Sequence, residues 1–502
     1  MTAPVTFSLA LSNETATAHL MADLALLIGP GDLITLSGDL GAGKTAAARA
    51  MIRYLADDDA LEVPSPTFTL AQSYDLAPFP LVHADLYRVN DAIELEEIGL
   101  QPLPEATVVL IEWPERAAGA LPEDRIDIAL SHRPALGSAA RSAEITGYGK
   151  AAAQVARLKT LRQFLDRAGY LEARRRRMAG DASTRSYARL IRDDGVVILM
   201  NSPRRPDGGK TYATAVHLAE NVKPFVAIAN GLRERGFSAP TIHHADLDAG
   251  FLITEDFGSE GVIEGDPPAP IAERYEAATD MLVALHREAL PEKLPLAPGF
   301  SYAIPFFDID ALLAEIGLMP EWYLPDRGVV LSDDISAEFV TMWRDLLAKP
   351  AAADKTWVMR DFHSPNLIWL GERQGIARVG IIDFQDAVLG PASYDLVSLL
   401  QDARIDVPEP LELSLLTRYI KARRAADDGF DAAEFAELYA IMSAQRNTRL
   451  LGTFARLNRR DGKPYYLKHQ PRIWTYLTRS LAHPVLAPLR EWYSSHVPPP
   501  SP

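Results

Sequence analysis

The chain contains no cysteine. Disulfide bonds, thiolate nucleophiles and cysteine ligands for metal ions are therefore excluded, which suits a protein of the reducing cytoplasm. The 502 residues also include no run of about 18 consecutive apolar residues, and the N-terminus has no basic segment followed by an apolar one. We therefore expect a cytoplasmic protein without a signal peptide or a membrane span.

Positive charge is scarce in the first part of the chain. Residues 1–150 contain 9 Lys and Arg against 21 Asp and Glu, so this stretch carries −12 of the formal net charge of −16. Because an acidic surface repels a phosphate backbone, we do not expect this part to bind nucleic acid tightly by itself. Any link to RNA would depend on a partner protein that supplies a basic surface.

The length and the changes of pattern along the chain predict at least two domains. In residues 1–150 apolar strands alternate with helical stretches, which predicts an α/β domain with a mostly parallel sheet. Residues 151–177 are interpreted as a helix that leads into the second domain and ends in four consecutive arginines. We interpret this basic run as a solvated helix end, which the helix dipole favours, rather than as a binding patch.

The second domain is predicted at residues 158–495. A hairpin signal, in which two alternating runs flank a turn around residue 194, indicates a smaller α+β lobe at about 158–257. The pattern that follows is mainly helical and predicts a larger lobe at about 258–495. The proline-rich residues 496–502 are expected to form a disordered tail.

The first chemical motif is Gly38-Asp39-Leu40-Gly41-Ala42-Gly43-Lys44-Thr45, which fits the pattern G-x-x-x-x-G-K-[ST] of a phosphate-binding loop. A predicted strand precedes it and a predicted helix follows it, as such a loop requires. The glycines let backbone N–H groups surround a phosphate, and the helix adds its positive N-terminal end. Lys44 can reach the β- and γ-phosphates of ATP, and the Thr45 hydroxyl can bind Mg²⁺. The predicted nucleotide contacts are Asp39, Gly41, Ala42, Gly43, Lys44 and Thr45.

Two carboxylates follow other apolar runs. Glu112 comes directly after the run at residues 108–111 and is the candidate metal-holding acid, although a surface glutamate after a core strand would look the same. Asp85 follows a second run and could orient water or bind metal. His83, two residues earlier, is interpreted as a half-buried structural histidine.

Four ordered motifs carry a family resemblance: residues 39–45, Ser65-Pro66-Thr67-Phe68, His83-Ala84-Asp85-Leu86-Tyr87-Arg88 and Ile111-Glu112-Trp113-Pro114. Together they resemble TsaE, the small ATPase family of the bacterial machinery that makes threonylcarbamoyladenosine at position 37 of tRNA. The resemblance spans about residues 5–150. It implies that the segment with Thr67 is a switch-like loop near the γ-phosphate. It also implies partners among the threonylcarbamoyl-transfer proteins, with tRNA reached only indirectly.

A second phosphate-chemistry signature lies far downstream, in Arg360-Asp361-Phe362-His363-Ser364-Pro365-Asn366 and Ile382-Asp383-Phe384. Asp361 and Asn366 have the spacing of the kinase catalytic loop, in which the aspartate accepts the proton of the attacking hydroxyl. Asn366 and Asp383 then hold Mg²⁺. Two unrelated loop aspartates are the alternative interpretation of the same pattern.

This part of the chain resembles the aminoglycoside phosphotransferase and choline kinase superfamily, which has a two-lobed kinase-like fold. The closer resemblance is to AmgK-type anomeric kinases of N-acetylmuramate and N-acetylglucosamine in cell-wall recycling. It covers about residues 158–495. The motifs that carry it are Gly180-Asp181-Ala182-Ser183-Thr184-Arg185-Ser186-Tyr187, the two signatures above, Gly390-Pro391, Gln445-Arg446-Asn447 and Asp461-Gly462-Lys463-Pro464.

The smaller lobe departs from ordinary kinases, because no lysine stands at the end of the strand Ile198-Leu199-Met200. The cation that meets the α/β-phosphates is therefore open, with Arg185 and Arg189 as candidates. Ser183 and Thr184 lie in a predicted phosphate-covering turn, for which a plain β-turn is an equal alternative. Glu255 begins the predicted hinge at the adenine.

The acceptor is predicted to be an amino sugar. Arg446, Arg449 and Arg456 share one helix face and suit the carboxylate of N-acetylmuramate, although a solvated basic face is an equal alternative. Asp395 is interpreted as structural. Two rival functions stay open for this half: an aminoglycoside or choline-type kinase, and a non-catalytic pseudokinase module, for which the missing lysine argues.

Overall fold

The computed structural model describes residues 3–77, 79–89, 93–117, 119–178, 185–204 and 211–500. The chain divides into two compact units. The first unit consists of Met1–Arg204 and Ile242–Asp256, and the second of Arg205–Thr241 and Phe257–Pro502. Within the described residues, no helix is both long and apolar enough to cross a bilayer.

The first unit contains two β-sheets and four helices in the described residues. Its elements are β1 (Val5–Leu11), α1 (Glu14–Ala25), β2 (Leu33–Ser37), α2 (Lys44–Ala56), β3 (Ala71–Tyr74), β4 (Leu81–Asp85), α3 (Ile93–Glu97), β5 (Val108–Glu112), β6 (Arg125–His132), β7 (Arg141–Tyr148), α4 (Ala151–Arg167), β8 (Arg174–Arg177), β9 (Ser186–Arg192), β10 (Gly195–Asn201), β11 (Ile242–Asp246) and β12 (Phe251–Glu255).

The larger sheet has seven strands in the order β1-β7-β6-β2-β5-β4-β3. Four neighbouring strands, β6, β2, β5 and β4, run parallel, while β1, β7 and β3 pair antiparallel at the edges. The central β2 and β5 are almost entirely buried, as expected for parallel strands that are covered on both faces. The predicted α/β class with a mostly parallel sheet is confirmed.

The smaller sheet is antiparallel, with five strands in the order β11-β12-β10-β9-β8. The predicted hairpin corresponds to β9 and β10, in which Gly195 pairs with Arg192. Both sheets share one hydrophobic core: Ile34 of the larger sheet, Leu158 of α4 and Leu190 of the smaller sheet belong to the same buried cluster. The α4 helix is therefore part of a core and not an exposed linker.

The interpretation of residues 151–177 as one helix was wrong. The helix α4 ends at Arg167, and Arg174–Arg177 form the edge strand β8. The four arginines alternate between exposed and more buried positions, which is the period of a strand. Arg175 points inward and forms a buried ion pair with Asp23 of α1, at 2.9 Å. Because all four residues are arginines, the sequence shows no alternation of polar and apolar residues that would indicate a strand.

The second unit is mainly helical, as predicted. Its elements are α5 (Tyr212–Ala215), α6 (Lys223–Glu234), β13 (Ile263–Glu264), β14 (Ala269–Pro270), α7 (Ala272–Leu285), β15 (Lys293–Ala297), β16 (Phe300–Ala303), α8 (Ile309–Ile316), α9 (Leu324–Asp326), α10 (Asp333–Ala352), β17 (Lys355–Val358), β18 (Leu367–Trp369), β19 (Val379–Ile381), β20 (Val388–Pro391), α11 (Ser393–Leu400), α12 (Glu409–Ala426), α13 (Ala432–Asp461), α14 (Gln470–Leu481) and α15 (Ala487–His496).

The long helix α13 organises this unit. Its 30 residues include a continuous buried stretch from Leu438 to Thr448, and it packs against α8, α11 and α14. Near the C-terminus, Val497 is buried and the Pro498 carbonyl accepts a hydrogen bond from the Tyr323 hydroxyl at 2.8 Å. The expected disorder of residues 496–502 is therefore corrected for the first part of that tail.

Candidate functional sites

The phosphate-loop motif connects β2 to α2. Gly38, Gly41 and Gly43 all have positive φ values, of 131°, 79° and 106°. A Cβ atom at Gly38 would lie 2.1 Å from the carbonyl oxygen of Leu130, so this position also needs glycine for space. The backbone between strand and helix can therefore turn tightly, with its N–H groups free of obstructing side chains.

Lys44 folds back over this loop. Its Nζ atom donates hydrogen bonds to the carbonyl oxygens of Gly38 and Asp39, at 2.6 and 2.9 Å. The same ammonium lies 3.5 Å from the ring centre of Trp113. Burial lowers the pKa of Lys44, against the opposing effect of nearby carboxylates such as Glu112. Lys44 is thus held where the loop would receive phosphates.

The candidate metal ligands of this site contact each other. The Thr45 hydroxyl donates to Glu112 at 2.9 Å, and His83 Nε2 lies 2.9 Å from the other carboxylate oxygen. Glu112 and His83 are both buried. His83 is thus fully buried rather than half-buried, and its ring contacts the carboxylate of Glu112. Oxygen ligands of this kind suit Mg²⁺.

Asp85 lies next to Glu112 because both residues end neighbouring parallel strands. They are Cα partners in the pairing of β4 with β5. The Ser65 and Thr67 hydroxyls both donate to Asp85 Oδ2, at 2.8 and 2.7 Å. The structure therefore connects the predicted switch-like segment directly to one of the two carboxylates. Phe68, in the same segment, is 81% exposed.

Two residues at this site were not predicted. Arg141 donates from Nε to the Ala42 carbonyl at 2.9 Å and from its terminal nitrogen to the Gly41 carbonyl at 3.3 Å. It lies in a stretch that offered no motif. Trp113 belongs to the motif at residues 111–114, but nothing in the sequence indicated that its ring covers Lys44.

The second site is built on the hairpin β18–β19. Leu367 pairs with Ile381, so Asn366 just before β18 lies beside the residues just after β19. The Ile382 amide donates to the Asn366 carbonyl at 3.0 Å. Asn366 and Asp383 are thereby brought to the same end of the hairpin. Asp383 has a left-handed backbone, with φ of 59°, and accepts a hydrogen bond from Gln385 at 2.9 Å.

Asp361 lies in the loop between β17 and β18. Its backbone carbonyl accepts a hydrogen bond from the Asn366 side-chain amide at 2.9 Å, which leaves the amide oxygen of Asn366 available as a ligand. The carboxylate is 33% exposed and lies 3.6 Å from Arg449 and 3.8 Å from Arg446. Burial raises the pKa of Asp361, but Arg449 and its cationic neighbours outweigh burial and hold that pKa well below its usual value. The carboxylate is therefore ionised at neutral pH.

The arginine face of α13 is not solvated, so that alternative was wrong. Arg446 is buried, and its NH1 donates to the Arg360 carbonyl at 3.0 Å. Arg449 contacts the fully buried Glu315 at 3.3 Å and the Tyr394 hydroxyl at 2.9 Å. Burial favours the protonated form of Glu315, but Arg449 and Arg360 lower its pKa overall. Arg449 connects this ion network to Asp361, because it contacts both carboxylates.

Buried acids also hold the loop that contains Asp361. Asp395 accepts hydrogen bonds from the backbone amides of Met359 and Arg360, at 2.6 and 2.9 Å. Asp402 accepts one from the Ser364 amide at 2.9 Å. The role of Asp395 therefore fits the structural interpretation. No motif in the sequence indicated Asp402.

The candidate nucleotide residues of the smaller sheet lie in the first unit. Ser183 and Thr184 lie outside the described residues. Arg185 is partly buried just before β9, and Glu255 ends β12 opposite Val197. Arg189, the other candidate cation, donates to Asp256 at 2.6 Å. The strand that lacks the usual lysine is β10, and its Met200 is buried.

Neither site is a conventional metal cluster. Among the described residues, no group of three or more His, Cys, Asp or Glu side chains could hold a metal ion. Each site instead offers one carboxylate together with a hydroxyl or amide oxygen: Thr45 with Glu112, and Asn366 with Asp383. Such incomplete oxygen sets fit Mg²⁺ that keeps waters and shares phosphate ligands. The assignment of these residues to a metal stays a prediction.

Comparisons with known proteins match two different families to two separate parts of the chain. The family described as "Threonylcarbamoyl adenosine biosynthesis protein TsaE" matches residues 11–140, and the family described as "Phosphotransferase enzyme family" matches residues 174–438. A TsaE protein of Rickettsia bellii is 35% identical over 120 residues, which are 24% of this chain and 83% of that protein.

A second group of relatives covers the rest of the chain. An "N-acetylmuramate/N-acetylglucosamine kinase" of Caulobacter vibrioides is 37% identical over 353 residues, which are 67% of this chain and 95% of that protein. A solved choline kinase, LicA of Streptococcus pneumoniae, is 14% identical and covers 64% of this chain and 99% of its own, with a TM-score of 0.43. Both resemblances predicted from the motifs are confirmed. The chain belongs to the phosphotransferase enzyme family, and its N-terminal part, fused to that enzyme, belongs to the TsaE family.

Proposed function

We propose that residues 158–495 form an ATP-dependent kinase that phosphorylates the anomeric hydroxyl of N-acetylmuramate and N-acetylglucosamine. The observation that carries this proposal is the Asp361 carboxylate, which is partly exposed and ionised, beside Asn366 and Asp383 at the end of one hairpin. The names of the relatives that cover this part support the same acceptors.

Asp361 accepts the proton of the attacking hydroxyl and orients its oxygen. Because the arginines keep Asp361 ionised, its contribution is position and negative charge more than basicity. Asn366 and Asp383 would hold Mg²⁺ through their oxygen atoms. ATP with Mg²⁺ supplies the phosphoryl group and neutralises its charge. Asp395 keeps the backbone at Met359 and Arg360 fixed, so the carboxylate of Asp361 stays in place.

The experiment is ADP release by the full chain with N-acetylmuramate, N-acetylglucosamine, kanamycin or choline as acceptor. We expect turnover with the two amino sugars and a loss of about a thousandfold or more in Asp361→Asn, whose amide lacks the negative charge that orients the hydroxyl and receives its proton. Asp345→Asn, an exposed aspartate of α10, is the matched control and should keep the wild-type rate. Turnover with kanamycin or choline alone would replace the sugar assignment. Absence of turnover with every acceptor would favour the pseudokinase.

We further propose that residues 1–150 form a P-loop ATPase that supports threonylcarbamoyladenosine formation on tRNA. The supporting observation is the contact of Thr45 with Glu112 beside Lys44, at the carboxyl ends of the parallel strands. Thr45 and Glu112 would hold Mg²⁺. Asp85, tied to Thr67, orients the attacking water. Because this part is acidic, its partners are the threonylcarbamoyl-transfer proteins rather than tRNA alone.

ATP hydrolysis by the full chain without any sugar reports on this activity, since sugar phosphorylation cannot then occur. Lys44→Ala should lower the rate about a hundredfold, because the ammonium that meets the phosphates is removed. Lys150→Ala changes a lysine that is 92% exposed and should leave the rate unchanged. Addition of the transfer proteins should stimulate hydrolysis, whereas tRNA alone should not. Equal rates for Lys44→Ala and the wild type would refute the P-loop role.

A further inference from the structure

A cleft of about 630 Å³ lies in the first unit between α1, α2 and β8. The two helices belong to the part with the phosphate loop, whereas β8 is the edge strand of the smaller sheet. The wall of the cleft is therefore formed jointly by the two fused parts. Its charged wall residues are Glu14, Arg49, Arg53, Asp57, Asp59, Arg174, Arg175, Arg176 and Arg177.

The wall of this cleft has more positive than negative charge. Three of its arginines have carboxylate partners: Arg175 pairs with Asp23, and Arg174 and Arg176 pair with exposed aspartates of the loop after α2. No carboxylate among the described residues forms an ion pair with Arg49, Arg53 or Arg177. In a protein with a formal net charge of −16, this excess of guanidinium groups is a local exception.

Two buried polar atoms of the wall lack hydrogen-bond partners among the described residues. They are the Tyr54 hydroxyl and His19 Nδ1, in residues that are only 9% and 6% exposed. Burial and the nearby Arg175 lower the pKa of His19 to about 4, so its ring is neutral at pH 7. A buried polar atom without a partner is costly, and both residues line the cleft.

We propose that this cleft binds a small phosphomonoester, either a nucleoside monophosphate or a sugar phosphate. The dianionic group accepts hydrogen bonds from the guanidinium groups of Arg49, Arg53 and Arg177, and the Tyr54 hydroxyl donates to it or to the body of the ligand. The volume suits one small molecule. The acidic surroundings within residues 1–150 disfavour a long polyanion such as RNA.

The cleft is connected to the first candidate site through two of its arginines. Arg49 donates from Nε to the Val63 carbonyl at 3.1 Å, and Arg53 donates from Nε to the Leu61 carbonyl at 2.9 Å. The segment that they hold leads directly to Thr67, whose hydroxyl is bonded to Asp85. A phosphate that attracts these guanidinium groups would weaken or shift their hydrogen bonds to that segment. Occupancy of the cleft and nucleotide binding at the phosphate loop are then coupled in both directions.

The test is calorimetric titration of the full chain, first saturated with Mg²⁺ and AMP-PNP so that the nucleotide sites are filled. The probes are AMP and N-acetylglucosamine 1-phosphate, which separate the two sources of a phosphomonoester. We expect one probe to bind, and Tyr54→Phe and Arg177→Gln each to weaken it about tenfold or more. Arg192→Gln, on the β9–β10 hairpin outside the cleft, is the control and should bind as the wild type does.

Tyr54→Phe also guards against a trivial loss of structure. Its hydroxyl has no protein partner among the described residues, so its removal should leave the melting temperature unchanged or slightly higher. Failure of both probes to bind at millimolar concentration would overturn the proposal. Equal affinities in the wild type and both cleft variants would do the same, since the probe then occupies another site. Tighter binding of a short single-stranded RNA, lost in the same variants, would replace the small ligand with a polynucleotide.

Discussion

Three arginines on the same face of α13 are used in different ways. Arg446 donates to a backbone carbonyl, and Arg449 is shared between Glu315 and Asp361. Both guanidinium groups contact protein groups, so they contribute positive charge next to Asp361. Arg456 instead lies over the ring of Tyr212, at 4.5 Å, and its guanidinium forms no hydrogen bond or ion pair with a protein group among the described residues. Of the three, Arg456 has the guanidinium best suited to an acidic substrate.

Arg456→Gln therefore tests how the carboxylate of the acceptor is recognised. We expect KM for N-acetylmuramate to rise about tenfold, because a charge-assisted hydrogen bond is lost, while KM for N-acetylglucosamine changes less than about twofold. Steady-state kinetics of the full chain with both sugars measures the difference. Arg459→Gln, which removes a partly exposed guanidinium next to Asp326, should change neither value. Equal increases for the two sugars would exclude a role in binding the carboxylate.

At the scale of elements, the packing of α7 against α12 depends on a neutral histidine. His286 caps α7, is buried, and its Nδ1 lies 2.8 Å from the Tyr419 hydroxyl of α12. Burial, assisted by Arg423, lowers the pKa of His286 to about 3. The unfolded chain takes up a proton near pH 6.5, but the folded chain does not. Stability is therefore lost as the pH falls from about 6.5 towards 3.

His286→Gln should flatten this pH dependence, because glutamine keeps a hydrogen bond to Tyr419 but does not titrate. The measurement is the melting temperature of the full chain between pH 7.5 and 5. We expect a smaller decrease in the variant than in the wild type. His243→Gln, which changes an exposed histidine of β11, serves as control and should retain the wild-type slope. A variant slope equal to the wild-type slope would mean that His286 does not titrate on unfolding.

Elements with clear local patterns could be predicted from the sequence. The helix after the phosphate loop corresponds to α2, and the apolar runs before Asp85 and Glu112 correspond to β4 and β5. The strand β8 could not be predicted. Its residues alternate in exposure, but all four are arginines, so the alternation is not visible in the sequence. Arg175 can point inward because its guanidinium pairs with Asp23, which is 152 residues away in sequence. Long-range pairing of this kind leaves no local signal.

The same distinction applies to the candidate sites. Asp361, Asn366 and Asp383 could be proposed from the sequence because they have the spacing and order of kinase catalytic motifs, and the structure brings them together. Arg141 could not, because it reaches the phosphate loop from 99 residues away and contacts only backbone carbonyls. Every residue type has a backbone carbonyl, so the residue types in the phosphate loop do not indicate that an arginine binds there.

At the scale of the whole molecule, fusion has joined the ATPase part to the smaller sheet of the kinase. One hydrophobic cluster includes residues of α1, α2, α4 and of both sheets. Asp23 on α1, Arg162 on α4 and Arg175 on β8 form an ion triad within it, at 2.6 and 2.9 Å. Asp23 is fully buried. We therefore expect the first unit to unfold cooperatively, in spite of its two evolutionary origins.

Asp23→Ala tests this expectation, because it leaves the buried guanidinium of Arg175 without its carboxylate. Breaking such a buried pair costs about 3–5 kcal/mol, so the free energy of unfolding of the whole first unit should fall by this amount. In hydrogen exchange followed by mass spectrometry, peptides from β2 and β10 should lose protection together. Asp194→Ala removes an exposed partner of Arg192 and should cost less than about 1 kcal/mol. Loss of protection in β2, with β10 still protected as in the wild type, would mean that the two sheets unfold independently.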